Sequence, residues 1–67
     1  MDIRQRLAAN IVRLRKEKSW SQEELADRTG LHRTYISAVE RCVRNPTITV
    51  VEKIAKALEV SAGELLG

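Results

Sequence analysis

The residues of this chain best suited to chemistry lie in the run RTYISAVER, Arg33 to Arg41. If Ile36 and Val39 mark the inner face of a helix, then Arg33, Thr34, Tyr35, Ser37, Ala38 and Arg41 are left on its outer faces. These side chains suit contact with nucleic-acid bases. A guanidinium can bond guanine through two parallel donors, Thr and Ser hydroxyls reach base edges or phosphates, and a Thr or Ala methyl can touch the thymine methyl. No carboxylate stands among them. The acidic neighbour Glu40 falls one position after Val39, so it is expected inward or half-buried, where it needs a partner. Arg15 of the first helix can supply one, giving a structural ion pair between helices.

Catalytic chemistry has little to work with. The chain holds one histidine, His32, and one cysteine, Cys42. No paired carboxylates share a face and no glycine-rich phosphate loop is present, so neither a triad, a metal site nor an acid–base pair can be assembled. No enzyme activity, cofactor, metal or small-molecule ligand is expected. His32 reads as a surface residue before the helix, or as a phosphate contact when protonated. Cys42 has no partner for a disulfide within the chain, which points to a reducing cytoplasm; a redox role beside a nucleic-acid contact is the alternative reading. The N-terminal stretch MDIRQRLAANIVRLRKEK interleaves charges with apolar residues and contains neither a signal peptide nor a membrane span.

The elements that must position these residues are all helical. Ile3, Leu7, Ile11 and Leu14 recur at helical spacing and predict a first helix over 3–17. In WSQEEL, Ser21 and Glu24 have the spacing of a capping box, and Trp20 and Leu25 that of a hydrophobic staple, so a second helix starts at Gln22. Gly30 ends it. The tight connection through Leu31 leads into the third helix, which gives the spacing of a helix-turn-helix over about residues 21–41. Asn45 before Pro46 disfavours helix, and Thr47 caps a fourth with Ile48, Val51, Ile54, Ala55 and Leu58 inward. In VSAGELL, Ser61 with Glu64 and Val60 with Leu65 repeat the box and staple for a short fifth. The expected architecture is all-α, five helices in one domain spanning residues 1–67, with no strand pattern or repeat.

Charge is distributed unevenly over the 67 residues, whose formal net charge is +3. Residues 1–20 carry +4, 21–29 carry −2, 30–46 carry +2 and 47–67 carry −1. If folding brings the two basic segments to one side they can attract a polyanion; otherwise they are solvated helix faces. Gln22, at the N-terminus of the second helix, can hold a phosphate with its amide and the free backbone N–H groups, or be an ordinary surface glutamine. Tyr35 can point its hydroxyl at DNA or pack half-buried between helices. Trp20 is expected in the core, since a single-strand platform would need several exposed aromatics.

Taken together, SQEELADRTGLHRTYISAVERCVRNPT and VVEKIAKALEVSAGELL resemble the lambda-repressor/Cro-like (XRE-type) helix-turn-helix family, with Ser21-Gln22, Leu25-Ala26, Gly30, Ser37-x-x-Glu40-Arg41 and Pro46 carrying the likeness. HRTYISAVERCVRN is similar to the small controller proteins of restriction-modification systems, which are dimeric activators and repressors. The resemblance implies a double-stranded DNA operator as partner. It assigns base contacts to Arg33, Thr34, Tyr35 and Ser37, backbone contacts to Gln22, Arg41, Arg44 and Asn45, and the Arg15–Glu40 ion pair to the scaffold. Antitoxins and phage-type repressors share the fold, and a protein-binding adaptor is the alternative from a different class. Two positions depart from the family pattern: His32 stands where Ser or Asp is common, and Cys42 where Gly or Asn is.

One such unit reads only a few base pairs, so a homodimer on two half-sites is expected. Val50, just off the inward stripe, and Leu66, near the C-terminus, are candidates for its interface. If these 67 residues are the complete chain, no sensor domain accompanies the DNA-binding one, and control is expected to come from the protein's own concentration through dimerisation and operator binding.

Overall fold

The computed structural model describes residues 2–67 and runs α1 (Ile3–Glu17), α2 (Gln22–Thr29), α3 (Arg33–Glu40), α4 (Ile48–Leu58) and α5 (Ala62–Leu66). No strand occurs among the described residues. Of the span expected for the domain, Met1 lies outside them.

Side-chain oxygens start four of the five helices by accepting orphan backbone N–H groups. The Asp2 carboxylate takes the amides of Arg4 and Gln5 at 2.9 and 3.1 Å, and the Gln5 side chain returns a bond to the Asp2 amide. Ser61 and Glu64 form the reciprocal box expected for α5, both bonds being 3.0 Å. At α2 the box is only half made: Ser21 Oγ accepts from the Glu24 amide, while the Glu24 carboxylate turns to Arg28 at 2.8 Å. A charged partner one turn ahead competes successfully for that carboxylate. Thr47 caps α4 through the Val50 amide at 3.2 Å, and His32 makes no side-chain cap.

Helix ends follow one pattern. The amides of Trp20, Leu31, Val43 and Val60 each reach back five residues, to the carbonyls of Arg15, Ala26, Ala38 and Ala55, at 3.0 to 3.1 Å. The residue before each is left-handed: Ser19 (φ 59°), Gly30 (φ 73°), Cys42 (φ 62°) and Glu59 (φ 61°). This is the Schellman termination, and only one of its four left-handed positions is glycine. A left-handed L-residue costs about 1 kcal/mol relative to Gly, which the carbonyls satisfied in the motif can offset. Cys42→Gly is accordingly expected to leave stability unchanged or raise it by up to about 1 kcal/mol, read from the urea midpoint; a clear loss would show that the thiol contributes more than its position.

The core collects Leu7 and Ile11 from α1, Leu25 from α2, Ile36 and Val39 from α3, Val51, Ile54, Ala55 and Leu58 from α4, and Leu65 from α5. Leu25, Ile54 and Leu65 have no solvent exposure. α5 is too short to persist alone. It is held by Leu65 and by two α1 side chains that bond its last carbonyls, Asn10 to Leu65 O at 2.9 Å and Arg6 to Leu66 O at 3.4 Å.

Two residues expected inward are not. Ile3 is 50% and Ile48 89% exposed. Each opens its helix at the edge of the bundle, beyond the reach of the elements that cover the next turn. They line an apolar groove of about 280 Å³ together with Leu7, Pro46, Val51 and Leu66.

The caps are also acid-sensitive. The Gln5 amide above all, with the Arg4 side chain, holds the Asp2 carboxyl below its ordinary pKa; backbone and hydroxyl bonds from Ser61 do the same for Glu64. A depressed carboxyl contributes stability that is present above its unfolded pKa and lost as pH falls through the folded value. The thermal midpoint is therefore expected to drop between about pH 5 and pH 3, and less steeply in Glu64→Gln.

Candidate nucleic-acid interface

α2 and α3 are joined by a turn whose geometry is set by Gly30, the one left-handed glycine. Beneath it, buried Thr29 turns its hydroxyl back to the carbonyls of Leu25 and Ala26, at 2.9 and 3.1 Å, so no polar group is stranded under the turn. Ile36 and Val39, 1% and 2% exposed, fix the roll of α3. That roll leaves Arg33 and Thr34 exposed and Tyr35, Ser37 and Ala38 half-buried on the outer faces. Arg41, Arg44 and Asn45 are exposed just beyond the helix. Among the described residues, Arg33, Arg41 and Arg44 enter no ion pair, whereas Arg13, Arg15 and Arg28 do. Arg44 instead lies over the Tyr35 ring, its guanidinium carbon 5.5 Å from the centroid. Tyr35 thus combines an outer position with packing, where the sequence left the two open.

Glu40 is turned inward, its side chain 6% exposed, and Arg15 faces it at 11%. The pair is bidentate: Arg15 Nε donates to Glu40 Oε2 at 2.9 Å and Nη2 to Oε1 at 3.0 Å. The remaining Arg15 nitrogen, Nη1, donates to the Trp20 carbonyl at 2.8 Å, which ties the corner between α1 and α2 to the same group. Gln22, read from sequence as an exposed amide, is half-buried, and its Nε2 donates to Glu40 Oε1 at 2.9 Å. That contact is invisible in the sequence, because the two residues stand 18 apart on different helices and neither belongs to an apolar repeat. Trp20 is half-buried against the core, with the Arg28 guanidinium 4.1 Å and the Lys18 ammonium 5.3 Å from its ring centre.

Of the two interface candidates, Leu66 lines the apolar groove and is half-buried. Val50 packs against the core and does not line the groove.

Five helices among the described residues, with a glycine-turned α2–α3 pair and exposed arginines at the start of α3 and just after it, define a lambda-repressor-like helix-turn-helix domain. The chain belongs to the helix-turn-helix family HTH_3, whose sequence profile matches residues 11–65. It is 52% identical over 65 residues to a hypothetical transcription factor of Neisseria meningitidis serogroup B, covering 97% of this chain and 61% of that protein. The control protein C.SmaI of Serratia marcescens is 48% identical over 66 residues, covering 98% of this chain and 79% of C.SmaI. Among solved structures, the restriction-modification controller C.Esp1396I, a tetramer in complex with its natural 35 base-pair operator, superposes with a TM-score of 0.84 at 39% identity over 100% of this chain and 99% of that one. The chain therefore spans about three fifths of the Neisseria relative and most of the length of the controllers.

Proposed function

We propose that this chain is a sequence-specific regulator of transcription that binds double-stranded DNA as a homodimer, in the manner of a restriction-modification controller. It acts as one DNA-binding domain, in the cytoplasm, without catalysis. The observation that carries the reading is the set of exposed guanidinium groups, Arg33, Arg41 and Arg44, on and just after the outer face of α3, which enter no ion pair among the described residues. α3 enters the major groove with Arg33, Thr34, Tyr35 and Ser37 toward base edges; Gln22, Arg41, Arg44 and Asn45 hold the flanking phosphates. An adaptor that bound protein through this face would present apolar anchors there rather than free cations.

Selection of bound sites from a randomised duplex pool tests the reading. Enrichment of palindromes with half-sites about 34 Å apart, one helical turn, is the expected result; no enrichment at all would sink it.

A second copy covers the apolar groove. Contiguous apolar surface on a small soluble domain marks an interaction site, whereas scattered exposed residues do not, and Ile3, Ile48 and Leu66 are contiguous here. The groove also carries Arg4 and Glu52, so a twofold packing can set opposite charges against each other. Leu66→Asp is expected to weaken the dimer at least tenfold in sedimentation equilibrium, by about 1.4 kcal/mol or more. An unchanged dimer would remove Leu66 from the interface.

A further inference from the structure

We infer that Glu40, which cannot itself face DNA, is a positioning residue for the phosphate contact of Gln22. The inference rests on the DNA-binding reading above and deepens it. A carboxylate only accepts hydrogen bonds, so Gln22 must turn Nε2 toward Glu40 Oε1, 2.9 Å away, and its own carbonyl elsewhere. That removes the ambiguity of an amide, whose two ends are otherwise interchangeable. Among the described residues Nε2 has no second acceptor, and the side chain opens α2 and remains partly exposed. Gln22 is the first residue of α2, and the free backbone N–H groups and dipole of a helix's first turn favour a phosphate.

Glu40 is itself immobilised. Its two oxygens accept from Arg15 Nε and Nη2, and Arg15 is held in turn by the Trp20 carbonyl. Three helices therefore converge on one carboxylate: α1 through Arg15, α2 through Gln22, and α3 through Glu40. The same group that locks the end of α3 to the scaffold also aims the first side chain of α2. A base-reading helix and a phosphate-gripping amide are thereby kept in register by one buried group, at no cost of reorganisation on binding.

The experiment compares the parent with Gln22→Ala, Arg15→Met/Glu40→Met and the triple variant on a palindromic duplex recovered by selection, across a KCl series. Replacing both members of the ion pair by apolar residues preserves the packing and strands no charge, while it deprives Gln22 of its acceptor. Gln22→Ala and the paired substitution are each expected to weaken binding about fivefold, and the triple variant is expected to bind no worse than either. Because Gln22 is neutral, the salt slope is expected to stay as in the parent; a merely structural role that displaced α3 would also lose charged contacts and flatten it.

Losses that multiply in the triple variant, or a paired substitution that leaves affinity unchanged, would overturn the inference. So would a Gln22→Ala variant that binds like the parent, with DNA binding itself left standing. A parent that binds no duplex overturns the DNA-binding reading instead. Hydrogen exchange of the Gln22 side-chain amide in the free parent protein needs no variant to fold: it is expected to be slower than that of exposed Gln5, and equal rates would remove the orienting bond.

Discussion

Glu40→Ala is expected to lose about 3–5 kcal/mol of folding stability, a large share of the roughly 3–10 kcal/mol that a domain of this length possesses. The magnitude follows from what the truncation leaves behind rather than from the worth of the pair. Arg15 is 11% exposed and donates twice to Glu40. Without that carboxylate its charge keeps only the Trp20 carbonyl, and Gln22 loses its acceptor as well. An exposed pair such as Arg13 with Glu17 contributes far less, because water screens both partners. Arg15→Met/Glu40→Met removes the charges together and is expected to remain within about 1–2 kcal/mol of the parent. Urea unfolding followed by far-UV circular dichroism checks both values. A Glu40→Ala variant that loses under about 1 kcal/mol would mean that water reaches the Arg15 side chain.

The contrast between the two substitutions also shows where sequence reading succeeds. Arg15 facing Glu40 was legible because helical spacing puts Glu40 next to the inward Val39, and a carboxylate there requires a cation. Helix starts were legible for a similar reason: Ser21, Thr47 and Ser61 are cap residues whose chemistry is local, and Pro46 and Gly30 punctuate the chain between them. Gln22 was different. Its partner is chosen by how α2 crosses α3, which no local pattern encodes. The half-made box at Ser21 has the same origin, since Glu24 can serve the helix start or Arg28, and the sequence offers both.

Helix ends were less legible than helix starts. Ser19 and Glu59 adopt the left-handed conformation without a glycine signal. The following residues, Trp20 and Val60, pack against the core, so tertiary contact holds these turns where local propensity would not. Cys42 shares the motif but its follower does not share the anchor: Val43 is 65% exposed. The turn after α3 thus depends on its carbonyl bonds, and on the weak contact of Cys42 Sγ with the Arg4 carbonyl at 3.8 Å, more than on packing. Ile3 and Ile48 were misplaced because periodicity reports which side of a helix an apolar residue occupies. It does not report whether another element extends far enough to cover it.

Arg33→Ala is expected to weaken operator binding by about 1–3 kcal/mol per half-site and to relax one base position in each. Arg33 is the first residue of α3, exposed and outside every ion pair among the described residues. In a helix-turn-helix the N-terminal residues of the second helix are the ones that contact base edges. A guanidinium there needs no rearrangement within the protein before it bonds a purine edge with two parallel donors. Arg44 provides the control. It lies beyond the helix against the Tyr35 ring, so Arg44→Ala should weaken all sequences alike and reduce the salt slope by roughly one neutralised phosphate per copy. Affinities measured on the selected operator, on its single-base variants and on random duplex separate the two roles. If Arg33→Ala loses as much on random duplex as on the operator, Arg33 grips phosphate, and the base reading shifts to Thr34, Tyr35 and Ser37.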